Sequence, residues 1–95
     1  MDHYIVHDPN GPDLEFVGEL LLKEDHHDTG FIEVYRTAGG SYVLKRHLSS
    51  RPGHVLINEV RLADSLAGAL ETLGHGRGAK QVRSKLRVYE TRRID

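Results

Sequence analysis

Ninety-five residues, 38% hydrophobic and 28% charged, make one ordinary globular domain with room for a single modest core. With no cysteine there is no disulfide, no zinc–thiolate site and no thiol nucleophile, and no apolar run approaches the roughly 20 residues that span a bilayer. The formal charge of −1 hides an asymmetry: residues 1–33 carry nine acids against Lys23 alone (−8), whereas residues 34–95 carry twelve lysines and arginines against five acids (+7).

Met1-Asp2-His3-Tyr4 opens acidic and polar, unlike the basic-then-apolar start of a secretory signal, so a cytoplasmic location is the simplest expectation. Pro9, Asn10-Gly11 and Pro12 mark turns, and residues 1–13 read as a loose arm in which Tyr4-Ile5-Val6 could add a short edge strand. Residues 14–23 then alternate. Leu14, Phe16, Leu20 and Leu22 share one face, and Glu15, Val17, Glu19 and Lys23 share the other with Leu21, the pattern of a half-buried strand. Gly18 interrupts it and marks a bulge or a close backbone approach.

Residues 24–30, EDHHDTG, form a polar turn. Segments 31–37 and 41–48 are rich in β-branched and aromatic residues and flank Ala38-Gly39-Gly40, whose glycines allow the chain to reverse as a hairpin. On the first of these strands Ile32 and Val34 lie on one face, and Phe31 and Tyr35 on the other. Apolar bulk on both faces means that the sheet is covered on both sides or that one face binds something. Residues 49–53 form a loop, and 54–61 read as a further strand.

Residues 64–73 carry the clearest helical signal. Leu62, Leu66, Ala69, Leu70 and Leu73 form an apolar stripe, Asp64 can cap the first turn, and Gly74 can close the last. A second, weaker helix follows, with Ala79, Val82 and Leu86 on its apolar edge and Lys80, Arg83 and Lys85 outside it; residues 87–90 could add a short last strand. Strands followed by helices predict a single α+β domain over 1–95: an antiparallel meander of about four strands, near 14–23, 31–37, 41–48 and 54–61, packed on one face by two C-terminal helices.

Four constellations invite chemistry. In the turn Gly74-His75-Gly76-Arg77-Gly78, the exposed N–H groups of Gly76, Arg77 and Gly78 are candidates for holding an anion. The turn follows a helix rather than a strand, so the dinucleotide fingerprint does not apply and an ordinary helix–helix turn is the plainer reading. Seven histidines are many for this length, but His26-His27 in a turn cannot converge on one ion from adjacent positions, and no metal site is assigned. Arg77, Lys80, Arg83, Lys85 and Arg87, with Tyr89 and the hairpin cations Arg36, Lys45 and Arg46, have the residue types that bind DNA or RNA, against an isoelectric point near 6.6 and an acidic first third. Ser49-Ser50 near His47 and His54 could be drawn as nucleophile and base. No acidic orienter can be assigned, no catalytic template is present and no cofactor is implied, so a non-enzymatic chain is expected.

The segment EVYRTAGGSYVL over 33–44 and the terminal ETRRID resemble, in fragments, small bacterial proteins named for a C-terminal EXLDI motif. The chain departs from that motif at its last residues, and the resemblance implies no function.

Taken together, these features lead us to expect a small regulatory or accessory interaction domain that binds itself as a homodimer or binds another protein, without a membrane. Phe31, Tyr35 and Val43 are the candidate interface on an uncovered sheet face. The acidic and basic ends would face each other within the chain or across the dimer. Nucleic-acid binding through the basic C-terminal segment and the hairpin is the alternative.

Overall fold

In the computed structural model, which describes residues 1–88, alternation of apolar and polar residues produces five strands rather than four. They are β1 (Asp2–Val6), β2 (Leu14–His26), β3 (Gly30–Thr37), β4 (Tyr42–Arg51) and β5 (His54–Ala63), in one antiparallel sheet of order β1-β2-β3-β4-β5. Helix α1 (Leu66–Leu70) runs into a 3-10 turn (Glu71–Leu73), and α2 (Arg77–Lys85) follows. The α+β meander with two short helices on one face is therefore present, with an extra strand at its N-terminal edge.

The extra strand forms because Tyr4 and Val6, at alternate positions, find apolar partners. Tyr4 lies opposite Phe16 in the ladder and Val6 opposite Leu14. The rings of Tyr4, Phe16 and Tyr35 gather with centroids 4.9 to 5.7 Å apart, close enough for edge-to-face contact. The hydrogen-bonded ladder converts what reads as a loose arm into structure.

β2 serves both faces of the sheet. Its register shifts between Leu20 and Leu22, so that Leu21 is an extra residue. Before the shift, Leu14 and Phe16 point to the face carrying Tyr35 and Val43; after it, Leu22 points to the face carrying Ile32, Val34 and Leu44. Such a bulge bends a strand and sharpens its twist. The sheet curls accordingly, so that Val6 on β1 packs in one cluster with Val43 on β4 and Val60 on β5. The Asn10 side chain completes the curl by donating to the Asn58 carbonyl of β5 at 3.1 Å. Gly18 marks the close approach rather than the bulge, since a Cβ there would overlap the Arg36 carbonyl.

The main core lies on the helix-covered face: Leu22, Ile32, Val34 and Leu44 beneath Ala69, Leu70, Leu73, Ala79 and Val82. The helix over 64–73 differs from expectation in two ways. Its cap is Ser65, whose Oγ accepts from the Gly68 N–H at 3.0 Å, and not Asp64. Leu62, placed by spacing on the helical stripe, belongs to β5, where it lies opposite Val43 on the face away from the helices. Ladder pairing through Ala63 outcompetes a helix start that has a glycine in its middle, a residue costing about 1 kcal/mol relative to alanine. Gly74 closes the segment with φ +73°, as its position predicts. Arg87 and Val88 are not in a strand, and the remainder of the strand expected over 87–90 lies outside the described residues.

Candidate functional site

The turn between β2 and β3 meets the first turn of α2, and this junction absorbs the glycine-rich motif. The Asp28 carboxylate accepts the Gly78 N–H at 3.1 Å, taking the position where an external anion was expected at Gly76, Arg77 and Gly78. Gly76 and Gly78 make the approach possible. A Cβ at Gly78 would overlap Thr29 Oγ1, Asp28 Oδ1 and the Cβ of His26, and one at Gly76 would press on Asp28. The Gly78 bond, then the Thr29 hydroxyl, holds the Asp28 carboxyl below the usual carboxylate range against an opposing desolvation effect.

The same junction joins the acidic and basic parts of the chain. Lys85 at the end of α2 pairs with Glu24 of β2, and His26 bonds the other Glu24 oxygen at 2.8 Å. The Lys85 bond chiefly, and His26 to a lesser degree, lower the Glu24 pKa although burial raises it. On the hairpin, Arg36 pairs with Glu19. Part of the charge asymmetry is thus satisfied within one chain.

The nucleic-acid candidates divide. Arg83 is buried, donating from Nη1 to the Gly74 carbonyl at 2.5 Å and from Nη2 to the Leu70 carbonyl at 3.2 Å. Arg46 is buried too, with Nε 2.9 Å from the Thr29 carbonyl and Nη1 3.2 Å from the Thr72 carbonyl. Through these bonds Arg83 ties the ends of α1 and its 3-10 extension to α2, and Arg46 ties the 3-10 turn and the β2–β3 turn to β4. Lys85 is engaged with Glu24; Arg77, Lys80 and Arg87 are exposed. Tyr89 lies outside the described residues.

The fold gathers His26, His27 and His47 around a cleft of about 420 Å³, with Phe31 and Ser49 also on its wall. Among the described residues no group of three or more histidines, aspartates and glutamates is disposed to hold a metal ion. Ser49 Oγ lies 3.1 Å from His47 Nε2, and the described residues supply His47 with no acidic orienter.

The three interface candidates are not an open patch. Tyr35 and Val43 are 6% and 1% exposed, covered within the chain by Val6, Tyr4 and Phe16 of the curled N-terminal hairpin. The Tyr35 hydroxyl donates to Glu33, and burial followed by that bond pushes its pKa up. Phe31 is half-buried, with Lys23 Nζ 5.9 Å from its ring centroid. No family model, no curated protein and no solved structure matches the chain. Its function has to be read from its own surface.

Exposed large apolar side chains lie at both edges of the described sheet, with Ile5, Val17 and Leu20 on β1 and β2 and a second set on β5, at the end of the sheet order. Val55, Leu56 and Leu62 are 54%, 63% and 61% exposed. Sequence spacing misses them because 54–61 has the pattern of an ordinary strand and Leu62 falls on the spacing of the helical stripe. A signal was present: Val55-Leu56-Ile57 is three consecutive apolar residues, and a strand with one covered face cannot bury all three. Among the described residues, no helix is long and apolar enough to cross a membrane.

Proposed function

We propose that this chain is a non-catalytic interaction domain that acts by associating with a second copy of itself. The observation that carries the reading is the exposed apolar residues near the two ends of β5, Val55 and Leu56 at its start and Leu62 near its close, on a ten-residue strand that among the described residues is paired on one side only. An edge strand offers free N–H and C=O groups, and exposed apolar side chains along it favour a partner over water. Burying a leucine side chain in such a contact contributes about 1.5–3 kcal/mol.

This reading moves the interface from the face carrying Tyr35 and Val43 to the edge. The opposite charges of the two ends, engaged in part at Glu24–Lys85 and Glu19–Arg36 inside one chain, play a smaller role in it than the apolar contact.

Sedimentation equilibrium tests the reading. A dimer is expected at about 100 μM chain, a concentration well above typical dissociation constants of stable dimers. Leu62→Asp is expected to shift the equilibrium toward monomer while leaving the melting temperature close to that of the parent, because Leu62 lies outside both apolar clusters. A monomeric parent at that concentration overturns the reading.

A further inference from the structure

Resting on that self-association, we propose that two copies join β5 to β5 in antiparallel fashion about a two-fold axis at Val60, making one continuous ten-stranded sheet from the two five-stranded ones. Three observations fix the strand and its register.

The first concerns direction. The Asn58 carbonyl accepts from Asn10, which comes from outside the β4–β5 ladder, so it points away from β4. In an antiparallel strand, successive residues direct their N–H and C=O groups to opposite edges. Val60 and Leu62 therefore turn theirs outward as well, while Glu59 and Arg61 turn theirs toward Arg46 and Leu44 of β4.

The second concerns extent. The β4–β5 register is continuous from Ile57 to Ala63 and shifts at Leu56, which is skipped between Ile57 and Val55. Beyond Ala63 the chain turns at Asp64 into the Ser65 cap. The regular stretch is 57–63, and its midpoint is Val60. A two-fold axis there uses every residue of it.

The third concerns charge. A two-fold axis perpendicular to the sheet at Val60 places Glu59 opposite the partner's Arg61, and Arg61 opposite the partner's Glu59. Both pairs are of the non-hydrogen-bonded kind, with Cα atoms about 4.5 Å apart and side chains in contact. Moving the axis one residue toward the N-terminus sets Glu59 against Glu59; one residue toward the C-terminus sets Arg61 against Arg61. The centred register alone converts both clashes into attractions. Within the chain these groups are held loosely: Arg61 stands 3.7 Å from Glu71, and Thr72 reaches Glu59 at 3.4 Å. Asn10 sits at the end of the same edge on the Asn58 carbonyl, an oxygen with a second lone pair open to the partner's Leu62 N–H.

The experiment uses the full chain. Since it has no cysteine, Val60→Cys introduces a single thiol. At the axis two such thiols face each other across a hydrogen-bonded pair with Cα atoms about 5.5 Å apart, within reach of a short bis-maleimide reagent. That reagent is expected to give a covalent dimer from Val60→Cys and little from Ser50→Cys, which the axis places away from its own copy. Glu59→Arg or Arg61→Glu alone is expected to weaken the dimer at least tenfold, and the two together to restore it, with circular dichroism confirming the fold of each. A parent dimer whose Val60→Cys form does not cross-link, or which ignores both charge reversals, overturns the β5 register while leaving self-association standing. A monomeric parent overturns both.

Discussion

The Asp28 carboxylate accepts the Gly78 N–H at 3.1 Å across fifty residues of chain, joining the β2–β3 turn to the first turn of α2. The bond works in three ways. It satisfies a donor that a helix start leaves free, sets a negative charge at the positive end of the helix, and leaves no room for a side chain at Gly78.

Gly78→Ala follows directly. The added methyl group meets Thr29, Asp28 and His26 together, so it cannot be relieved by moving one flexible side chain. Although alanine favours helix by about 1 kcal/mol over glycine, overpacking here is expected to prevail and destabilise the chain by about 1–3 kcal/mol in urea unfolding. A more stable variant would mean that the junction is loose.

Acid should weaken the same junction. Gly78 and Thr29 lower the Asp28 pKa, and Lys85 and then His26 lower that of Glu24, in both cases against desolvation. A carboxyl whose folded pKa lies below its unfolded value contributes stability that is full above the unfolded value and is lost as pH falls through the folded one. The urea midpoint is therefore expected to drop as pH is lowered below about 4. Asp28→Asn should start from a lower midpoint at pH 7 and show a flatter acid limb. Equal acid limbs in the two proteins would remove Asp28 from the account.

The basic run in α2 should divide by burial rather than by charge. Arg83→Ala removes the donor to the Leu70 and Gly74 carbonyls and is expected to cost roughly 2 kcal/mol or more. Arg77→Ala, on the exposed side, should stay within about 0.5 kcal/mol of the parent. Thermal unfolding of the two variants side by side gives the comparison. Similar small shifts would show that Arg83 does not secure the end of α1.

What the sequence disclosed and what it hid divide along the range of the interactions. Alternation in 14–23, the glycine turn at 38–40 and the spacing of Leu66, Leu70 and Leu73 are local patterns, and each corresponds to an element of the fold. The Asp28–Gly78 bond, the buried roles of Arg46 and Arg83, and the cover over Tyr35 join residues far apart in the chain. No local pattern encodes them: an arginine on the inner side of a short basic helix has the same neighbours in sequence as one in water. Gly76-x-Gly78 looked like a place for an anion because it is one, and the anion is Asp28. The bulge at Leu21 hid the second core, because it reassigns Leu22 to the opposite face from Phe16 and curls β1 over the sheet.

Tyr35 separates the two candidate surfaces. On an open sheet face, Tyr35→Glu would leave the monomer intact and weaken a dimer. In this structure the ring stands 4.9 Å from Tyr4 and 5.5 Å from Phe16, and the residue is 6% exposed, so the substitution puts a carboxylate among apolar side chains and beside Glu33. A group in that position loses the aromatic contacts and either takes up a proton or draws in water, and loss of an aromatic core side chain by itself costs about 3–5 kcal/mol. Tyr35→Glu is therefore expected to lower stability by at least about 3 kcal/mol and to free the N-terminal hairpin, read as rapid hydrogen exchange in 2–6 and 14–20. Tyr35→Phe keeps the ring and removes only the hydroxyl that donates to Glu33, so its cost should stay near 1 kcal/mol. A Tyr35→Glu chain that melts like the parent would return Tyr35 to the surface and undo the curl of β1 over β4 and β5.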